Sequence, residues 1–570
     1  MTMTWDEAVT RLTAPGGDFE LIETEVGGSI QKVFARTPGS LRDLFAVARM
    51  YGDAEYLVYE DERWGFDRLT RQIDELGDAL VNRYGVRPGD RVAIAMRNYP
   101  EWITSFAAVT SVGAVAVALN AWWLHEELAY GLEDSGSRLV ICDSERFERV
   151  RDLIGDSDLD AIVVRHRGDL PPGAAHLEKI LEPGARLPEV VVDTDADATI
   201  LYTSGTTGHP KGAVSTHRAV LTALMGFACR AAVAALVDGA DTAPTDETGE
   251  ALPTTAILCI PLFHVTGLVP VMLGTFVSGS RLVMMYRWDP RRALELIERE
   301  RITQFVGVPT MSWELLECED FDRFDTSSLR SVGGGGAPAP PELVQRIEDR
   351  FSAGRPGIGY GMTETNALGP QNAGDTYLRR PTSVGRAAPN MDVMVIDGEG
   401  RPLGPGERGE ICFRGANLIR GYWNRPEATA ETIVDGWLRS GDIGYIDEEG
   451  FVYVSDRAKD MVLRGGENIY CAEVEAAVYE HPAVYEAAVF ALPHERLGEE
   501  VALAVMAKPG SVIEPEELRR FVGARLAAFK VPSRVFVFDE QLPRNASGKI
   551  LKRQIRDEIL GEQGPGAGRI

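Results

Sequence analysis

Asp90-Arg91-Val92-Ala93-Ile94-Ala95-Met96 opens a run that continues through WITSFAAVTSV (102–112), AVAVAL (114–119), HEELAYGLEDS (125–135) and RLVICD (138–143). Short β-branched runs alternate here with longer stretches of helical composition. Strands that read as unbroken apolar runs are buried on both faces, and strands separated by helices pair in parallel. The pattern returns in TTAILCI (254–260), RLVMMY (281–286) and ITQFVGV (302–308), each followed by helical sequence. From about Asp90 to Asp375 the chain is therefore expected to form doubly wound α/β sheets.

Past Pro389 the character changes. MDVMVID, GEICFRG and DIGYIDEEGFVYVSD read as antiparallel strands of a small β-barrel-like subdomain, with a tight acidic turn ending at Gly450. From Asp456 a separate α+β unit follows, with a helix near 472–480, strands near 484–491, 500–507 and 534–538, and a helix at 515–528. Two domains are expected, 1–455 and 456–570. The acidic, Gly- and Pro-rich segment 236–253 reads as an exposed excursion.

The 570 residues are 44% apolar and 25% charged, the balance of an ordinary globular protein. With 59 Lys and Arg against 86 Asp and Glu, the net charge of −27 argues against bulk nucleic-acid binding. The six cysteines stand at least 30 residues apart, which excludes zinc-ribbon spacing and reads as reduced thiols. The start MTMTWDEAVTRL lacks the basic-then-apolar order of a signal peptide. The most membrane-like run, Ile103 to Leu119, reads better as a core helix and strand. A soluble, cytoplasmic protein is expected, with peripheral membrane contact and a homodimer left open.

Tyr202-Thr203-Ser204-Gly205-Thr206-Thr207-Gly208-His209-Pro210-Lys211-Gly212 follows the strand-like ATILYT and precedes the helical HRAVLTALMGF. Three glycines in the 203–208 loop and after Lys211 let backbone N–H groups converge, and the hydroxyls and Lys211 add donors, as a polyphosphate requires. It is not a Walker loop, because Lys211 is followed by Gly212 rather than Ser or Thr.

With this loop the sequence resembles the adenylate-forming superfamily of acyl-CoA synthetases, luciferases and nonribosomal adenylation domains. The resemblance runs from about residue 50 to 556, in the family's motif order. It implies that Thr203, Ser204, Gly205, Thr206, Thr207, Gly208 and Lys211 hold ATP phosphates. In Tyr360-Gly361-Met362-Thr363-Glu364, Glu364 is implied to hold Mg²⁺, Thr363 to donate near the α-phosphate, and Tyr360 to stack on adenine. The Gly333–Gly336 strand end misses the dinucleotide spacing; by resemblance Gly335 and Ala337 border adenine and Gly336 the acyl pocket. Asp442, in GWLRSGD, would take the ribose hydroxyls with support from Arg457.

Pro261-Leu262-Phe263-His264 resembles the motif lining the acyl and thiol entrance. Phe227, Val306, Met311 and Leu368 suggest an apolar pocket, without a cation to meet a second carboxylate. In Asp456-Arg457-Ala458-Lys459-Asp460 the resemblance makes Lys459 the hinge. Gly465, Gly466 and Glu467 would form the coenzyme A face. Lys549, in PRNASGKI, matches the catalytic lysine, whose ammonium would bridge the substrate carboxylate and the α-phosphate.

The activity implied is an ATP-dependent acid–thiol ligase: acyl-adenylate formation with loss of pyrophosphate, then thioester formation with coenzyme A and loss of AMP. A medium- or long-chain fatty acid is the expected substrate, though an aromatic acid would use the same motifs. The alternatives are a free-standing enzyme loading a carrier protein, a luciferase-like oxygenase, and a nucleotide-binding regulator without catalysis.

Overall fold

The computed structural model describes residues 3–155, 158–203, 209–238, 253–337, 339–457, 459–464, 467–545 and 548–562. Strands Arg91–Ala95, Val115–Ala118 and Leu139–Asp143 pair in parallel, and helices Pro100–Ser111 and His125–Ser135 connect them. Pro100 sits at the first turn of its helix, where a missing N–H costs nothing. Nearly every residue of that helix is buried, because it lies in a core shared by two sheets: Trp102, Ile103 and Phe106 join Val92 and Ile94 of one sheet with Leu57 and Leu282 of the other.

Along the chain the elements that carry the site are β1 (Asp197–Thr203), β2 (Lys211–Thr216), α1 (His217–Asp238), β3 (Gln304–Gly307), α2 (Pro309–Leu316), β4 (Ser331–Gly335), β5 (Arg355–Gly359), β6 (Gly421–Tyr422), β7 (Trp437–Ile446), β8 (Val452–Arg457), β9 (Val484–His494), β10 (Gly498–Ala507) and α3 (Lys552–Glu562). The first eight-stranded sheet begins β6, β2, β1 and continues through Val115–Ala118 and Arg91–Ala95. The second eight-stranded sheet carries β5, β4 and β3 side by side in parallel. A five-stranded antiparallel sheet holds β7 and β8, and another five-stranded sheet, in the C-terminal part, holds β9 and β10. The α/β architecture is thus the one read from the alternation.

Two local expectations are corrected. The segment 211–216 is a strand, so the glycine-rich loop closes a β-hairpin and α1 begins only after β2. Gly212 to Ser215 are buried in one unbroken run, as in a strand covered on both faces, and pairing with both β1 and β6 decides it. The excursion starts later than 236, because Leu236 and Val237 still belong to α1 and pack with Trp5 and Val9 of helix Trp5–Thr13; residues 239–252 lie outside the described residues. As the reading of DIGYIDEEGFVYVSD has it, β8 includes Asp456, and it extends to Arg457; the two pair with Ile443 and Asp442 of β7.

The most membrane-like segment is α1, not 103–119. Its His217–Val237 stretch has a mean hydropathy of 2.0 and the length to cross a membrane, yet half of it is buried inside the protein. At its centre Arg230 is buried, donating from Nη1 to the Arg386 carbonyl (2.6 Å), and from Nε and Nη2 to the Gln371 amide oxygen and carbonyl. A cation so anchored marks a core helix.

Candidate active site

The hairpin stem holds the residues on either side of the glycine-rich segment. Thr203 of β1 lies opposite Lys211 of β2, and its hydroxyl donates to the Lys211 carbonyl. Below the stem, Tyr130 stacks on His209 at 4.5 Å and donates to the Pro210 carbonyl. Ser204, Gly205, Thr206, Thr207 and Gly208 lie outside the described residues.

β6 pairs with β2, which brings Tyr422 beside Lys211: the ammonium stands 4.6 Å from the ring centroid, a cation–π contact. The hydroxyl of Tyr422 donates to Glu364 Oε1 at 2.7 Å. One aromatic side chain therefore holds the loop's cation on its face and the expected metal carboxylate at its tip.

Glu364 itself sits in a single 3₁₀ turn, Thr363–Thr365, followed by Asn366 and Ala367 at φ of 53° and 64°. Two successive non-glycine residues in the left-handed region cost about 1–3 kcal/mol each and persist only where the surroundings enforce them. Here buried amides do so. Asn366 accepts from Ser215 of β2 and donates to the Asn417 carbonyl, while Asn417 donates to the Thr365 carbonyl. Ile419 N–H closes on the Glu364 carbonyl. Tyr422, Asn366, Asn417 and Ser215 were not legible as site residues.

At the end of β5, Tyr360 donates from its hydroxyl to Asp442 Oδ2 at 2.6 Å, with its ring against Phe413. Arg457 stands opposite Asp442 across β7 and β8, Nε to Oδ1 at 3.4 Å. Asp442 is 5% exposed, and burial raises its pKa against the opposing pull of the Tyr360 hydroxyl, Arg457 and Lys549. That last partner comes from the C-terminal part of the chain. Lys549 is held down to about 8 by burial first and the Arg457 cation next, with Lys552 adding to the effect and Asp442 and Asp460 opposing it. Lys459 is exposed at the turn after β8, and Glu467 is exposed on strand Glu467–Ile469. Gly465 and Gly466 lie outside the described residues.

The glycine-rich strand end has a packing reason of its own. A Cβ at Gly334 would stand 2.6 Å from the Gly307 carbonyl oxygen of β3, and one at Gly335 2.7 Å from the Gly359 oxygen of β5. Gly336 is exposed and Ala337 half-buried just beyond. Phe227 and Val306 are half-buried against the large core, with Met311 and Leu368 buried. His264 is half-buried, its Nε2 shielded from solvent and without a hydrogen-bond partner, and burial lowers its pKa to about 4. It is a neutral imidazole at pH 7. Two surface clefts of 390 and 320 Å³, around Arg291 and Arg165 respectively, are lined by none of these residues.

The AMP-binding enzyme family model matches residues 44–423, and that of the AMP-binding enzyme C-terminal domain matches 473–549. The chain belongs to the AMP-binding enzyme family. Within it, this adenylate-forming enzyme falls in the acyl-CoA synthetase branch. It is 37% identical over 510 residues to feruloyl-CoA synthase of Amycolatopsis sp., covering 89% of this chain and 96% of that protein. It is 33% identical over 513 residues to a long-chain-fatty-acid–CoA ligase of Bacillus subtilis, covering 84% and 87%. Its structure superposes on o-succinylbenzoate CoA synthetase from Bacillus subtilis in complex with its acyl-adenylate intermediate, with a TM-score of 0.75 and 29% identity over 92% of this chain and 99% of that one. The AMP-binding enzyme is accordingly an acid–thiol ligase.

Proposed function

We propose that this ligase activates an apolar carboxylic acid, with Lys549 as the adenylating lysine, Glu364 as the Mg²⁺ ligand and Asp442 as the ribose acceptor. The observation that carries the reading is that Lys549, on a segment whose Gly548 sits against Val308 of the large domain, is buried within the fields of Asp442 and Arg457 on β7 and β8. A lysine brought from another domain to a buried carboxylate has left water for a purpose other than stability.

ATP fits with its terminal phosphates over the β1–β2 hairpin near Lys211 and its ribose on Asp442, whose oxygens keep free lone pairs beside the Tyr360 and Arg457 contacts. Glu364 offers Oε2 beyond its bond to Tyr422, and no group of three or more potential ligands occurs among the described residues. One carboxylate sharing an ion with substrate phosphates is the donor set Mg²⁺ takes. Bound there, the ion would neutralise charge on the phosphates. A carboxylic acid is ionised at neutral pH, so the first step needs no base; it needs two anions held in line, which the Lys549 ammonium favours by facing both. Rotation about Lys459 would then withdraw Lys549 and bring the 465–467 face to the adenylate for attack by the coenzyme A thiol.

The proposed acid is a medium- or long-chain fatty acid, supported by apolar Phe227, Val306, Met311 and Leu368 and by the likeness to the long-chain ligase. The 37% identity to feruloyl-CoA synthase favours an aryl acid as the second reading. Six free cysteines, five of them buried, suit a reducing cytoplasm. Lys549→Ala is expected to lower pyrophosphate exchange by about 10²–10³ while thioester formation from supplied acyl-adenylate persists. Equal loss of both half-reactions would refute the assignment. AMP release across a panel of acids, with and without coenzyme A, decides the substrate and the acceptor.

A further inference from the structure

Segments 542–545 and 548–551, the second carrying Lys549, hydrogen-bond to each other as the two arms of a short hairpin. Asn545 N–H donates to the Lys549 carbonyl, Lys549 N–H to Asn545 Oδ1, and Leu551 N–H to the Pro543 carbonyl, at 2.8–2.9 Å. One carboxylate from a different element holds the hairpin's base. Glu486, on β9, is 3% exposed and spends both oxygens on the hairpin: Oε2 accepts from Leu542 N–H at 2.8 Å, and Oε1 from Arg544 Nη2 at 2.6 Å. The other terminal nitrogen of Arg544 donates to the Gly548 carbonyl at 2.7 Å, on the residue that precedes the lysine.

A planar guanidinium transmits orientation between its two ends in a way a flexible ammonium does not. Glu486 thus sets the plane of Arg544, and Arg544 sets the peptide from which the Lys549 side chain departs. The fit is close on the far side as well: a Cβ at Gly548, where φ is +82°, would stand 3.2 Å from Val308 at the start of α2. Arg544 also feels the charge of Glu314 on α2, itself held by Trp288 Nε1.

We infer that Glu486 is a positioning residue for adenylation, acting through Arg544 to hold the Lys549 hairpin at the angle that delivers the ammonium to the large domain. Neither side chain is bonded to Asp442, Glu364 or Lys211 in the structure, so neither is a catalytic residue. The inference rests on the reading of Lys549 given above.

The charges that act on the Lys549 ammonium are Arg457 and Asp442 from β8 and β7, Asp460 from the turn after β8, and Lys552 from α3. A hairpin loosened at its base lets the ammonium regain water, and its titration moves back towards that of an ordinary lysine.

The test uses full-length Glu486→Gln, Arg544→Lys and Lys549→Ala beside wild type. It measures pyrophosphate exchange, thioester formation from supplied acyl-adenylate, the alkaline limb of kcat/KM for adenylation, and thermal melting. A displacement of about 1 Å at a reacting group costs about 10²-fold. The expected result for Glu486→Gln and Arg544→Lys is a loss of about that size in kcat for exchange, a thioester half-reaction within about twofold of wild type, and an alkaline limb moved upward. If Glu486→Gln melts early, Arg544→Lys, which keeps the cation, carries the same expectation. Wild-type exchange in Glu486→Gln beside a dead Lys549→Ala overturns the positioning role alone. Parallel loss of both half-reactions makes the pair structural and also overturns it. Undiminished exchange in Lys549→Ala instead overturns the reading of the lysine.

Discussion

Replacing Lys549 with Met should make the protein more stable and nearly inactive in adenylation. Burial holds the pKa of the lysine down to about 8 from its ordinary 10.5. That displacement corresponds to about 3 kcal/mol of disfavoured charge. The sign follows from the unfolded chain binding the proton more tightly: the cost is complete below pH 8 and disappears as pH climbs from 8 through 10.5. At pH 7 the Met side chain, of similar length and without charge, should therefore raise stability by up to about 3 kcal/mol, read as a higher melting temperature of the apo enzyme. At pH 10 the advantage should shrink.

The same titration governs activity in wild type. The role proposed for Lys549 requires an ammonium, so kcat/KM for adenylation should fall about tenfold per pH unit above pH 8. Melting curves of wild type and Lys549→Met at pH 7 and 10, with pyrophosphate exchange over pH 6–10, measure both effects. An alkaline limb beyond pH 10, or a Met variant no more stable than wild type at pH 7, would refute the reasoning.

Tyr360→Phe deletes the 2.6 Å bond to Asp442, worth about 1.5–3 kcal/mol for a charged acceptor; the expected outcome is a rise of about tenfold in the KM for ATP with kcat less affected, checked by steady-state exchange kinetics. Tyr422→Phe keeps a ring beneath Lys211 but frees Glu364, so the Mg²⁺ dependence of adenylation should move to a different concentration range. An unchanged metal titration would separate Glu364 from the metal. Asn366→Ala removes two buried hydrogen bonds and leaves alanine at φ 53°; thermal melting should fall by about 2–4 kcal/mol equivalent, with adenylation falling alongside.

The broad architecture was legible because buried parallel strands announce themselves as unbroken apolar runs: Val92–Ala95, Val115–Ala118 and Leu139–Cys142 are all buried. Lys211, Glu364, Asp442 and Lys549 stand out as candidates through their motifs, and their roles belong to the proposal above. The strand at 211–216 was not, because its partners, β1 and the two-residue β6, include one more than 200 residues away in the chain. Tyr422 escaped for the same reason. Asn366 and Asn417 carry no signal in a single sequence, since a buried amide and a surface one look alike until their partners are known. Glu486 lies in an otherwise apolar strand, and a carboxylate there was the one visible hint that something across the fold must answer it.

A loop that ended at a helix would draw on that helix's aligned dipoles to attract an anion. The Thr203–Lys211 turn has two strand ends beneath it instead, and strand dipoles contribute little net field. The phosphate contact proposed here would therefore draw on side chains such as Lys211, whose ammonium lies on the face of Tyr422, and not on a helix terminus.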